Sequence, residues 1–167
     1  MMQVRVSAIR QLTPVIREFT FTALDGDLPG FSSGSHVQVH LPLTQRTARN
    51  AYSLISDPAD TRHYQIAVRL QEPSRGGSHY LHHQVRVGDT LTLSPPANLF
   101  APDLTARQHI LIAGGIGITP FMAYLDSLER RGAAFELHYA YRSGLTDAFI
   151  DDLQERLGNR LHRYDGN

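Results

Sequence analysis

The spacing of apolar residues changes close to residue 103, and this change constrains the fold more than any other feature. Before it, apolar and polar residues alternate, as in Val37, Val39 and Leu41. Such alternation is typical of half-buried β-strands. Turn sequences such as Gly88-Asp89 separate the alternating runs. Residues 1–103 are therefore predicted to form about half a dozen short strands in an antiparallel barrel or sandwich.

After residue 103 the pattern alternates between strands and helices. A short apolar run at 109–113 is typical of a strand buried on both faces. Thr119 as N-cap and Pro120 at the first helical position predict a helix that ends at Gly132. A strand at 135–141, a helix from about Thr146 to Gly158 and a third strand follow. Residues 104–167 are thus predicted to be the first half of a doubly wound α/β domain.

Composition excludes several classes of protein. The 16 basic and 16 acidic residues balance, which gives no electrostatic basis for binding nucleic acid or an acidic membrane. The chain has no cysteine, so it cannot hold a disulfide or a cysteine-ligated cluster. No apolar stretch approaches the ~20 residues of a membrane span, and the N-terminus has the pattern of a strand, not of a signal peptide. A soluble, cytoplasmic, monomeric protein is expected.

The segment Ser74-Arg75-Gly76-Gly77-Ser78 has the components of an anion-binding loop. Its glycines allow consecutive N–H groups to turn inward, and a predicted helix over 78–85 follows. Arg75, with Arg49 on a neighbouring strand, would supply positive charge for a terminal phosphomonoester. The alternative is an ordinary hairpin loop.

Tyr52-Ser53 offers an aromatic ring on a strand. The ring would pack on a flat heterocycle while the backbone of the same strand hydrogen-bonds the edge of that heterocycle. Cross-strand packing of Tyr52 is an equally good interpretation.

Gly114, Gly115 and Gly117 lie at a predicted strand-to-helix turn. Glycine permits close backbone approach, and a helix N-terminus there would face a diphosphate. Arg142-Ser143 follows the next strand, where such folds read an adenosine ribose, although an ordinary polar loop is at least as good an explanation.

The spacing of the nine histidines predicts no metal site. His82 and His83 are adjacent, and adjacent helical residues do not share a face. Solvated surface histidines are expected.

Two phosphate sites in one chain suggest two nucleotide-like ligands that meet between two domains, the layout for moving electrons from a nicotinamide to a flavin. The chain resembles the ferredoxin-reductase superfamily, and within it the phthalate dioxygenase reductase type, the reductase components of Rieske-type oxygenases. The resemblance covers essentially the whole chain. It is carried by five segments: 51–54, 74–78, 87–89, 96–100 and 112–120.

The resemblance implies a six-stranded antiparallel flavin barrel, an NAD-binding α/β domain and a plant-type [2Fe–2S] domain, the last in a C-terminal part that this chain lacks. It marks Ser53 and Thr119 as catalytic candidates beside the reacting rings. The cofactor-binding candidates that it implies for FMN and NADH, together with the ribose candidates named above, are Arg49, Tyr52, Ser53, Leu54, Ala67, Val68, Arg69, Gly76, Gly77, Ser78, Gly114, Gly115, Gly117, Ile118, Thr119, Pro120, Arg142 and Ser143. Arg49 departs from the family motif, because it lies three residues before Tyr52 and not two.

The expected function is that of an NAD(P)H-dependent flavin oxidoreductase. It would take hydride from NADH to FMN and pass single electrons through a [2Fe–2S] centre to a Rieske-type oxygenase or a ferredoxin. The chain would then be a truncated or partly ordered piece of a longer protein. A stand-alone flavin reductase and a flavin-binding module without turnover are the alternatives. Arg142 and Ser143 suit the 2′-phosphate of NADPH as well as they suit NADH.

Overall fold

The computed structural model describes residues 1–166 and begins with a seven-stranded antiparallel sheet. Six strands run in the order β4-β3-β6-β1-β2-β5, and the short β7 pairs with β3. The elements of this unit are β1 (Met2–Thr13), β2 (Ile16–Ala23), β3 (Ser35–Pro42), β4 (Thr47–Ser53), β5 (His63–Arg69), α1 (Gly77–His83), β6 (Thr90–Leu93) and β7 (Ala97–Asn98).

Alternation explains why these segments are strands. In β3, Val37, Val39 and Leu41 are fully buried, while the residues between them are not. Their side chains meet those of β1, β5 and β6 in one apolar core. The six-stranded antiparallel sheet that the sequence predicts is confirmed. Over residues 1–166 no ladder joins the two end strands, β4 and β5, so closure into a barrel is not observed.

A three-stranded parallel sheet follows, in the order β10-β9-β8. Its elements are β8 (Gln108–Gly114), α2 (Thr119–Arg130), β9 (Ala134–Tyr141), α3 (Ile150–Leu157) and β10 (Leu161–Asp165), with 3₁₀ turns at Gly115–Ile118 and Gly158–Arg160. The predicted strand–helix–strand–helix–strand order is confirmed. Asn167 lies outside the described residues.

Two helix starts predicted from the sequence were wrong. Helical backbone begins at Gly115 in a 3₁₀ turn, so Thr119 lies inside the helical segment and is not its N-cap. The Thr119 hydroxyl donates to the carbonyl of Ile116, at 3.0 Å. The second helix begins at Ile150, because Thr146 is buried in the preceding turn, where its Oγ1 accepts a hydrogen bond from the Arg142 N–H.

The prediction that β8 is buried on both faces was also wrong. Leu111 is 6% exposed, whereas Ile110 and Ile112 are 58% and 74% exposed. The strands follow one another across the sheet in the order β8, β9, β10. Right-handed crossovers between them therefore place α2 and α3 on the same face of the sheet. The opposite face, which carries Ile110 and Ile112, receives no helix from residues 1–166.

His82 contradicts the expectation of solvated surface histidines. It is buried under β5, where its Nε2–H donates to the carbonyl oxygen of Val68, at 2.7 Å. Burial lowers the pKa of His82 from its ordinary value of 6.5. The ring is therefore a neutral packing element.

The two sheets share a second apolar core. Ile16, Ile55 and Ala67 of the antiparallel unit pack in one cluster with residues of α2, α3 and the parallel sheet. Polar contacts cross the same boundary, since Thr13 Oγ1 donates to the Leu145 carbonyl at 2.6 Å. Residues 99–107 connect the units without a helix or strand, and a domain boundary at 103/104 stays a prediction. Among the described residues no helix is long and apolar enough to cross a membrane.

The one-sided burial of β8 can be tested with two neighbouring substitutions in the 167-residue chain. Leu111→Ala should lower the free energy of unfolding by about 2–5 kcal/mol, because it leaves a cavity in the shared core. Ile112→Ala should change it by less than about 0.5 kcal/mol, because that side chain is exposed. Urea unfolding of both variants measures the difference, and equal losses would mean that both faces of β8 are covered.

Candidate functional site

A seam between β4 and β5 forms the centre of the site. Just beyond β4, the Ile55 N–H donates to the Gln65 carbonyl at 2.9 Å and joins the two strands at one end. Toward Tyr52 and Arg69 the strands share no ladder, which leaves an edge of each strand facing the other. Backbone polar groups on such edges are available to a ligand with its own donors and acceptors.

A cleft of about 480 Å³ opens at this seam. It is lined by Asn50, Ala51, Tyr52, Ser53, Ala67, Arg69, Gln71, Pro73, Ser74, Arg75, Gly77, Ser78, Ile116 and Thr119. Two of these residues are arginines and none is acidic, so the cleft favours an anionic guest. Ile116 and Thr119 come from the glycine-rich turn of the parallel unit, and the cleft therefore lies between the two units.

Asn50, and not Arg49, faces this cleft from β4. Asn50 lines the cleft with Tyr52, whereas Arg49 does not line it and is exposed to solvent. Asn50 Nδ2 donates to the Tyr52 hydroxyl oxygen at 3.1 Å. Burial raises the pKa of Tyr52 above 10.0, so its hydroxyl stays protonated at neutral pH. Asn50 was missed from the sequence, although it holds the position two before Tyr52 that the family motif gives to arginine.

The loop 74–78 is held by its own hydrogen bonds. Ser78 is buried, and its Oγ accepts from the Gln71 N–H at 3.0 Å. Ser74 Oγ accepts from the Gly76 N–H at 2.9 Å. The first N–H group that α1 uses internally is that of Tyr80, which donates to Gly76. Helix geometry therefore leaves the N–H groups of residues 77–79 without an intrahelical acceptor.

Gly77 is required by close packing. A Cβ at this position would lie 2.1 Å from Asn50 Nδ2 and 3.0 Å from Asn50 Cγ. Any side chain would displace Asn50 and, with it, the hydrogen bond to Tyr52. Gly77 thus allows the loop 74–78 to pack directly against Asn50 of β4. This packing constraint cannot be recognised from the sequence by looking only for residues that form turns.

A second cleft of about 490 Å³ lies at the carboxyl end of the parallel sheet. It is lined by Arg69, Gly114, Gly115, Ala140, Tyr141, Arg142, Thr146, Tyr164, Asp165 and Gly166. Ligands of open α/β sheets bind at this edge. Arg69 lines both clefts and therefore lies at their junction. The Ser143 hydroxyl, just behind this wall, donates to the Asp165 carboxylate.

The remaining candidates lie away from both clefts. Leu54, Val68 and Ile118 are buried in the two apolar cores. Gly76 borders a separate groove beside α1, and Pro120 lies in another with Leu99 and Phe100. Gly117 lines neither cleft. For these residues and for Arg49, a direct role toward a cofactor stays a prediction.

Comparison with known proteins decides the family. Residues 3–101 match the family model of the oxidoreductase FAD-binding domain. The chain belongs to this family. The resemblance to the ferredoxin-reductase superfamily, and to its phthalate dioxygenase reductase type, is thereby confirmed.

Relatives and solved structures agree with this assignment. The chain is 65% identical to the heme-dependent oxidative N-demethylase beta subunit of Ectopseudomonas mendocina (strain ymp), over 98% of its own length and 52% of that protein. It is 51% identical to the carnitine monooxygenase reductase subunit of Escherichia coli (strain K12), over 97% of its length and 51% of that protein. The structure of phthalate dioxygenase reductase, a modular protein for electron transfer from pyridine nucleotides to [2Fe–2S], superposes with a TM-score of 0.92 at 30% identity, covering 99% of this chain and 51% of that one. The chain spans about half the length of the curated relatives it matches.

Proposed function

We propose that the chain is the flavin-binding part of an oxygenase reductase component, in which hydride passes from NADH to FMN. The observation that carries this proposal is the first cleft, which is positively charged and bordered by both units. One unit supplies a phosphate-sized loop and an open strand edge, and the other supplies the glycine-rich turn. Such a cleft brings two nucleotide ligands together at their reactive rings.

The terminal phosphate of FMN would bind at the loop 74–78. Arg75 supplies a cation there, and the N–H groups at the start of α1 supply donors. Ser78 Oγ already accepts a backbone N–H, so its hydroxyl hydrogen is the part that can donate to a phosphate oxygen. A loop held by its own hydrogen bonds loses little conformational freedom on binding.

The flat ring of the flavin would lie along the seam. Tyr52 offers an aromatic face, and the facing edges of β4 and β5 offer backbone donors and acceptors at Ser53 and Ala67. When bound, the flavin supplies the hydride and electron-transfer chemistry. The side chains position it, and Ile116 and Thr119 close the cleft toward the parallel unit and limit the entry of water.

NADH would bind across the second cleft, with its diphosphate at Gly114 and Gly115. Arg69 lines both clefts and would offer its positive charge to either ligand. Arg142 and Asp165 form the far wall. The carboxylate of Asp165 would repel a 2′-phosphate and the guanidinium of Arg142 would attract one, so NADH is proposed on the resemblance to phthalate dioxygenase reductases.

An oxygenase component would receive the electrons, in keeping with the relatives that are named as reductase or beta subunits of oxygenases and demethylases. A [2Fe–2S] centre would have to be held by cysteines outside this chain, which has none. A stand-alone flavin reductase would need no such centre, and a binding module would hold the flavin without turnover.

Arginine substitutions test the phosphate site. Arg75→Ala should weaken FMN binding about 10- to 150-fold, the effect of losing a charge-assisted contact worth about 1.5–3 kcal/mol. Ser78→Ala should weaken it in the same direction. Arg49→Ala is the matched control and should cause a smaller loss, because Arg49 does not line the cleft. Quenching of flavin fluorescence measures each dissociation constant.

Riboflavin has the flavin ring but no phosphate, so it separates the contributions of ring and phosphate to the binding affinity. It should bind the unaltered chain more weakly than FMN and should be insensitive to Arg75→Ala. Equal FMN affinity in all variants, or FAD as the main flavin released by acid from the purified protein, would reject the phosphate site proposed here.

A substitution in the second cleft tests the nucleotide site. Gly114 has an extended backbone and open space at its Cβ position, so Gly114→Val should leave the fold intact and narrow the cleft. NADH affinity should fall about tenfold or more, equivalent to about 1.4 kcal/mol, while FMN content stays normal. Titration of NADH fluorescence and stopped-flow bleaching of the flavin are the measurements.

Gly30→Val, in a loop of the antiparallel unit, is the control and should change neither quantity. Unchanged NADH affinity in Gly114→Val would contradict the assignment of the second cleft. Tight NADH binding without any bleaching of the flavin would instead support the binding module over the reductase.

A further inference from the structure

Three potential metal ligands meet on the open face of the parallel sheet. Glu136 and His138 are two residues apart on β9, so they point to the same side. His162 on β10 is in register with His138. Leu137 and Tyr139, which alternate with them, are buried against the helices, which places Glu136, His138 and His162 on the side away from α2 and α3.

Their donor atoms converge. His138 Nε2 lies 3.0 Å from Glu136 Oε1, and His162 Nε2 lies 3.5 Å from Glu136 Oε2. The two imidazole rings stack with centroids 4.4 Å apart and planes within 7°, so one ring must rotate about its side chain for both nitrogens to ligate one ion. One donor atom from each residue lies within 4.8 Å of the others. The hydrogen bond with His138 lowers the pKa of Glu136 below 4.5, so its carboxylate is ionised at neutral pH.

A fourth residue holds one of the rings from its other side. The Tyr164 hydroxyl lies 2.7 Å from His138 Nδ1, and its ring stacks on that of His138. Histidines that bind metals almost always have such a partner on the second ring nitrogen, which fixes the tautomer and the ring orientation. Without an ion, His138 Nε2–H donates to the Glu136 carboxylate and Nδ1 accepts from the Tyr164 hydroxyl. A bound cation would replace the proton on Nε2, and Nδ1–H would then donate to the Tyr164 oxygen.

We propose that Glu136, His138 and His162 bind a divalent transition-metal ion, with Zn²⁺ the best fit. Two imidazole nitrogens and one carboxylate are a donor set that suits zinc. Mg²⁺ and Ca²⁺ prefer sites made of oxygen ligands alone. Tetrahedral zinc with ligands at about 2.1 Å separates its ligand atoms by roughly 3.4 Å. The distance from His138 Nε2 to Glu136 Oε1 is 3.0 Å and that from His162 Nε2 to Glu136 Oε2 is 3.5 Å, so each nitrogen lies near this separation from one oxygen of the carboxylate.

Over the described residues, β10 pairs only with β9. The ion would link the side chains of these two strands and so hold β10 in the sheet. Through Tyr164 it would also fix one wall of the second cleft. The sequence did not reveal the cluster, because its members come from two strands whose register is set only by folding. The adjacent pair His82-His83 was the one combination that proximity in sequence suggested.

Calorimetric titration of the 167-residue chain with Zn²⁺ tests the proposal. One equivalent should bind, and Co²⁺ should give the visible absorption of a tetrahedral site. His162→Gln and Glu136→Gln should each abolish this binding, and Tyr164→Phe should weaken it about 10- to 100-fold. Affinity should also fall as pH decreases, because protons compete with the metal ion for its ligands.

His83→Gln is the matched control, since His79 and His83 form another histidine pair, with ring centroids 5.4 Å apart on α1. It should leave Zn²⁺ binding unchanged. Binding that survives His162→Gln and Glu136→Gln, binding that depends on His83, or no saturable binding at all would overturn the proposal. Circular dichroism of each variant distinguishes lost ligands from lost fold.

Discussion

The incomplete pairing of β4 and β5 is the constraint on which the rest of the site depends. Two hydrogen bonds, from the Ile55 N–H to the Gln65 carbonyl and from the Gln65 N–H to Ser56 Oγ, join the ends of these strands, and beyond them their edges stay apart. A continuous ladder would use the same backbone groups internally and fill the cleft. Open strand edges usually promote unwanted pairing with another chain. Here the open edges of β4 and β5 instead form a surface for a planar polar ligand.

The same strand also connects the two units. Ala67 of β5 lines the seam cleft and packs in the core that the two sheets share, while Arg69, at the end of β5, borders both clefts. The relative position of the clefts is thus fixed by buried apolar contact and not by a flexible linker alone. Two ligands bound there would keep one mutual geometry, which is what hydride transfer requires.

Much of this arrangement could be predicted from local sequence, because strand alternation, helix spacing and glycine turns are local properties. The exposure of Ile112 could not, because it depends on the side of the sheet to which the crossovers bring α2 and α3. Asn50 was missed because the motif suggested a nearby arginine, and only strand register shows which residue faces the cleft. The contact between Gly77 and Asn50, and the cluster around Glu136, likewise join segments distant in sequence.

We propose that the seam between β4 and β5 holds the flavin ring. A crystal structure of the chain grown with FMN is the decisive test. We expect the ring between β4 and β5 against Tyr52, with the phosphate at the loop that contains Arg75 and Ser78. A flavin bound elsewhere, or a continuous β4–β5 ladder with no space for a ring, would contradict it.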